Sequence, residues 1–117
     1  MKIKSYSFGK MVVDGRVYRN DLILCGGEVL ENWRRESGHT LKGRDLGWLL
    51  ERDPDLLVIG KGKNGRMSVP EETERDLKEA GVNVKIADTE QAVRIFNQKE
   101  DDSSYRGKLA GAFHLTC

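Results

Sequence analysis

The continuous apolar run Leu56-Leu57-Val58-Ile59, together with the residues after it, constrains this chain more than any other feature. Such a run fits a strand covered on both faces. After it comes a glycine-rich turn, Gly60 to Gly65, and then Ser68-Val69-Pro70-Glu71. Ser with Glu three residues on is a capping box, here with Pro in the first turn. The spacing of Val69, Thr73, Leu77 and Ala80 predicts a helix to about Ala80, stopped by Gly81 in the left-handed conformation. Val82, Val84 and Ile86 read as the next strand. Strand, helix and strand in that order require a crossover. The right-handed crossover rule then makes residues 56–60 and 82–87 parallel neighbours or near-neighbours. The expected class is α/β.

The flanking segments extend this frame. Residues 3–8 read as a short strand. Met11-Val12-Val13, Asp14-Gly15 and Arg16-Val17-Tyr18 read as a hairpin, because Asp-Gly supplies the two positive φ angles of a type I′ turn. Leu22 to Cys25 is a further strand, broken by Gly26-Gly27. Val29 to Arg34 reads as extended, with Trp33 covering part of the sheet. Leu46, Leu49 and Leu50 predict a helix over 43–53, ended by Pro54. Asp88-Thr89-Glu90-Gln91 repeats the capping pattern before a helix to about Gln98, with Ala92, Val93 and Phe96 inward. Residues 99–107 are a charged surface loop, and 108–115 close the chain as a strand. The 117 residues fit one domain, 1–117, large enough to bury a core.

Charge removes some functions. Twenty basic residues against 19 acidic ones give no basic excess of the kind a nucleic-acid binder carries. No apolar run approaches ~18 residues, and Met1-Lys2-Ile3-Lys4 lacks the apolar stretch of a signal peptide, so no membrane segment is expected. Two cysteines, Cys25 and Cys117, imply no disulfide framework, and a reducing cytoplasm is the default compartment.

The chemistry is concentrated in Gly60-Lys61-Gly62-Lys63-Asn64-Gly65. It matches G-x-G-x-x-G after a strand, with Asp88 at a strand end where a ribose-binding acid would stand. The helix begins too far from the glycines for a dinucleotide phosphate to meet its N-terminus, and the chain has no room for a second half. Two readings remain. Lys61, Lys63 and Arg66, with amides freed by Gly60, Gly62 and Gly65, form an anion cradle at the carboxyl end of a strand. Alternatively the glycines serve turn geometry and the lysines are solvated. Asn97 either caps neighbouring backbone or presents its amide to a ligand.

No catalytic pair stands out. His114 and Cys117, with Cys25 or His39, fall short of the four ligands of structural zinc, so no metal or cofactor is expected. Cys117 as a nucleophile with His114 as its base has no supporting motif. Trp33, Trp48 and Tyr105 are candidate exposed anchors for another protein or a second copy.

Several segments together resemble one family. They include Val12-Val13-Asp14-Gly15, Cys25-Gly26-Gly27, Trp33-Arg34-Arg35-Glu36, Leu57 to Gly62, Thr89 to Val93, Phe96-Asn97 and Gly111 to Cys117. They run in the order seen in the Mth-domain family, which the chain resembles over essentially its whole length. The resemblance implies three layers, with a mixed central β-sheet flanked by helices and an additional N-terminal β-hairpin layer. It implies cytoplasmic residence and no established activity. Relatives are tied to cell-level roles in fat-cell differentiation and respiratory complex I assembly. Two functions stand as expectations. One is a binding or assembly module. The other is a small-molecule or anion-binding protein, or an enzyme, built on the Gly60–Gly65 crevice.

Overall fold

Leu22–Cys25, Leu56–Lys61 and Leu109–His114 are the three strands whose residues are buried almost throughout, and the architecture follows from covering both their faces. The computed structural model describes all 117 residues. Its strands are β1 Ile3–Ser7, β2 Lys10–Val13, β3 Arg16–Tyr18, β4 Leu22–Cys25, β5 Glu28–Leu30, β6 Leu56–Lys61, β7 Asn83–Ala87 and β8 Leu109–His114. The helices are α1 Gly47–Leu50, α2 Glu71–Glu79 and α3 Thr89–Glu100, with a 3₁₀ turn at Gly43–Leu46. The larger sheet has the order β5-β4-β8-β6-β7. β6 is parallel to both β7 and β8, while β8 is antiparallel to β4, so the sheet is mixed.

Alternation along each strand divides the core in two. Ile23, Cys25, Leu57, Ile59, Ala110 and Ala112 face Leu41, Leu46, Leu49 and Leu77 on the α1–α2 side. Leu22, Leu24, Val58 and Phe113 face Ala92 and Phe96 of α3, together with Ile3, Met11, Val13 and Tyr18. This is the physical reason that β4 and β6 show no polar alternation. The hairpin β2–β3 gains β1 as a third strand and forms the extra layer beside α3. Its turn has Asp14 at φ 49° and Gly15 at φ 80°, as a type I′ turn needs. Asp88 caps α3 by accepting from the Gln91 N–H at 2.9 Å. No helix is long and apolar enough to cross a membrane.

Three expectations are corrected. Ser68 does not cap α2, which begins at Glu71 behind Pro70 with no side-chain cap. Ser68 instead donates its N–H to the His39 carbonyl at 2.7 Å, and its carbonyl accepts from Leu41 N–H at 2.9 Å. A tertiary ladder thus takes the backbone that the capping box would have used. The helix over 43–53 breaks into the 3₁₀ turn and the single-turn α1. Gly43 and Gly47 weaken it, and Asp45 holds the first turn by accepting from the Lys42 and Glu36 amides. Trp33 is buried rather than an exposed anchor, and its indole N–H donates to the Asp45 carbonyl at 2.9 Å.

Candidate functional site

β6 and β8 run parallel, with Lys61 level with His114, so both strands end at the same edge. Ligands of open α/β sheets collect at such carboxyl ends. Two structures meet there: the glycine loop and a buried polar cluster around His114.

The loop closes on the chain's last residues. Lys63 N–H donates to the Thr116 carbonyl at 2.6 Å and Arg66 N–H to the Cys117 carbonyl at 3.1 Å. Gly65 N–H donates to Gly62 O at 3.2 Å. Gly62 N–H donates to the Thr89 hydroxyl at 2.8 Å, and that hydroxyl donates to the His114 carbonyl at 2.6 Å. Gly62 has φ +99°, and a Cβ on it would lie 2.3 Å from the Cys117 carbonyl carbon and 2.8 Å from His114 Cδ2. The glycine is therefore needed for a close approach. Thr89, His114, Thr116 and Cys117 occupy the space that an anion cradle would need.

The other sequence-predicted residues are dispersed around this loop. Gly60 packs on Thr89 and Phe113, and Asp88 lies beside Gly65 while capping α3. Lys63 is 3.6 Å from Glu90, and Lys61 and Arg66 have no ion-pair partner. Asn97 stands apart. Its amide nitrogen donates to Ile3 O at 2.7 Å and its oxygen accepts from Ile3 N–H at 3.0 Å, so it ties α3 to β1.

The polar cluster consists of Asp21, Arg35 and His114. Asp21 enters from the link before β4, Arg35 from the segment after Trp33, and His114 from the end of β8. The Arg35 guanidinium lies 4.8 Å from the Trp33 ring centroid and donates through Nε and Nη2 to Gly38 O. Nη2 also meets Asp21 Oδ2 at 2.8 Å, and His114 Nδ1 meets the same oxygen at 2.8 Å. Asp21 Oδ1 accepts from Leu115 N–H at 2.7 Å. The Arg35 and His114 side chains are only 4% and 7% exposed. Burial alone would raise the Asp21 carboxyl. His114, the Leu115 amide and Arg35 outweigh it and hold the group below its ordinary range.

Asp21 has no proton to give, so the one between Oδ2 and Nδ1 belongs to His114. The 3.0 Å approach of Arg35 Nη2 to Nδ1 is then two donors converging on one carboxylate oxygen. Arg35 Nη1 and His114 Nε2 are left buried without any partner. Native interiors rarely leave such atoms unpaired.

A cavity of about 400 Å³ opens beside the cluster, lined by Arg19, Asn20, Asp21, Asn32, Arg34 and Arg35 among others. Three arginines against one carboxylate make its field positive. His39 sits edge-on to His114 with ring centroids 5.8 Å apart. No group of three His, Cys, Asp or Glu side chains is gathered to hold a metal ion. Sequence reasoning sets His114 beside Cys117, with Cys25 or His39, and it misses Asp21 and Arg35. The available signal is that Arg35 and His114 both fall in segments that carry the family resemblance.

Residues 3–114 match the family model described as a protein of unknown function, DUF498/DUF598. Among solved structures, the conserved hypothetical protein PH1505 of Pyrococcus horikoshii is 22% identical with a TM-score of 0.80, covering 100% of both chains. A protein titled MT938 is 22% identical with a TM-score of 0.81, covering 99% of this chain and 98% of its own. A Bordetella pertussis protein described as a Mth938-like domain is 16% identical with a TM-score of 0.68, covering 97% of this chain and 85% of its own. At these identities the likenesses speak for a shared fold.

Proposed function

The chain belongs to the DUF498/DUF598 family, and from that premise we propose that it is a ligand-binding protein for a small organic anion. The ligand sits beside the carboxyl end of β8, where Leu115 and Thr116 line the cavity. The observation that carries this reading is the buried guanidinium of Arg35, with Nη1 unpartnered, beside a cavity also lined by Arg19 and Arg34. A buried cation with a free donor favours an oxyanion, and Arg presents a planar fork matched to carboxylate or phosphate. Gly60, Gly62, Gly65 and Asp88 shape the wall behind His114. Lys61, Lys63 and Arg66 add positive charge along the same edge, and Asn97 secures the layer beneath. A thermal-shift screen of small carboxylates and phosphates tests this, since a ligand of the native state raises its apparent stability. Stabilisation by an anion that Arg34→Ala and Arg19→Ala weaken supports the reading. An absence of any shift at millimolar anion, with unmoved amide resonances at residues 19–21 and 114–116, refutes it.

A second reading is favoured by one observation. Phe8 and Val17 on the hairpin layer are 58% and 46% exposed. They suit an assembly role in the cytoplasm, with residues 1–117 acting as one unit that contacts another protein or a second copy. The resemblance read in the sequence would extend this reading to the adipogenesis-associated Mth-domain-containing protein, a distant relative of which resembles a complex I assembly factor. Crosslinking in native lysate that returns no heteromeric or self contact through the β2–β3 face would end it.

A further inference from the structure

We infer that the anion taken at this site is a dicarboxylate, with one carboxylate accepting from Arg35 Nη1 and the other meeting the exposed Arg19 and Arg34; the inference rests on the anion-binding reading above. It follows from the charges around the cavity. Four charged side chains line it: Arg19, Asp21, Arg34 and Arg35. Asp21 Oδ2 and Arg35 Nη2 form an ion pair at 2.8 Å, so these two charges offset each other. Arg19 and Arg34 enter none of the molecule's ion pairs. Two positive charges therefore stand uncompensated around one cavity. The two ends of the site differ. Arg35 is buried, and it uses Nε on Gly38 O and Nη2 on Gly38 O and Asp21, which leaves only Nη1 to donate. Arg19 and Arg34 are exposed and keep their whole guanidinium groups for a ligand at the mouth.

Candidate anions differ in how they meet those two ends. A monocarboxylate pairs with one end and leaves the charge of the other to solvent. A phosphate dianion carries both charges on one group. Seated deep, it is repelled by the Asp21 carboxylate on the same lining. Seated at the mouth, it leaves Nη1 buried and unpaired. A dicarboxylate sets one charge at Arg35 and one at the mouth, so each end receives what it can pair. A cavity of about 400 Å³ lies at the small end of ligand sites, so only a few carbons join the two groups. Asn20, Asn32 and Thr116 add neutral donors to the same lining. Nη1 is itself buried, so the inner carboxylate reaches it as the Gly38 segment gives way. Gly38 lines the cavity, is exposed, and has nothing within 4 Å of where a Cβ would stand.

The experiment is titration calorimetry on the full chain, comparing succinate with monomethyl succinate, which keeps the carbon chain and loses one charge. Two exposed ion pairs, each weak, predict about fivefold tighter binding of succinate, and added salt narrows the gap. This arm needs only the unaltered protein. Replacing both rim residues, Arg19→Ala with Arg34→Ala, lowers succinate affinity to that of the ester and leaves the ester unchanged. Both ligands shift the Arg35 side-chain resonances and the Gly38 amide. Equal binding of succinate and the ester overturns the inference while the anion-binding reading stands. A preference for succinate that survives loss of both rim arginines also overturns it, as does binding that leaves the Arg35 resonances unmoved. Inorganic phosphate binding more tightly than succinate overturns it too, because one compact dianion would then satisfy the site. Binding of none of these three probes refutes both readings.

Discussion

Asp21→Asn tests the keystone of the cluster. The substitution keeps size and shape and removes the charge that compensates Arg35. Neither amide orientation rescues it. Oδ2 faces two donors, Arg35 Nη2 and His114 Nδ1, and Oδ1 faces the Leu115 N–H. Whichever oxygen becomes NH₂ therefore opposes a donor. Removing one partner of a buried ion pair costs about 3–5 kcal/mol. The lower end applies here, because Arg35 keeps two bonds to Gly38 O and the face of Trp33, and Asp21 retains 15% exposure. A loss of about 3 kcal/mol lowers the melting temperature of a chain this size by about 12 °C. The sign with pH is also determined. The folded carboxyl lies below its ordinary 3.8, so the stability it contributes is fully present above that value and is lost as pH falls through the folded pKa. Melting curves of both proteins at neutral pH and at about pH 3 therefore show an offset that shrinks on acidification, because protonated Asp21 and Asn are alike in charge. An offset below about 3 °C at neutral pH, or one unchanged by acid, would mean that Asp21 does not hold this cluster together.

Other parts of the structure carry their own tests. Gly62→Ala forces a Cβ against Cys117 and His114 at a φ of +99°, and costs at least about 2 kcal/mol in chemical denaturation. Asn97→Ala breaks both bonds to Ile3, costs about 2 kcal/mol, and speeds hydrogen exchange at the Ile3 amide. Ser68→Ala changes stability by no more than about 0.5 kcal/mol, whereas Asp88→Ala, which removes a true cap, costs about 1 kcal/mol. Tyr6 is pushed up to about 12, chiefly by burial, and its hydroxyl donates to Leu115 O at 2.9 Å. Its phenolate absorbance appears only near that pH in the folded protein, and the stability it lends is whole below 10 and fades as pH rises from 10 towards 12.

The hairpin and the β6–α2–β7 crossover were legible because they rest on local physics: an Asp-Gly turn, a fully apolar strand, a glycine stop. Ser68 shows where local physics stops. Its capping pattern is intact in sequence, but pairing with the 39–41 segment takes its backbone first. The polar cluster is harder still, because its contacts span 14, 79 and 93 residues along the chain. Neither Asp21 nor Arg35 has a neighbour in sequence that marks it. The glycine loop drew attention because its spacing suits a phosphate cradle, yet the same spacing suits backbone that must let another segment approach closely. What decides between them is the occupant, and residues 114–117 fill the loop. The Gly62, Lys63, Gly65 and Arg66 amides are engaged, whereas Arg35 Nη1 and His114 Nε2 are not. The proposed site is therefore argued from unpaired capacity rather than from motif. That capacity can be counted only once Asp21, Arg35 and His114 are brought together from 14 to 93 residues apart, which no reading of composition or spacing reaches.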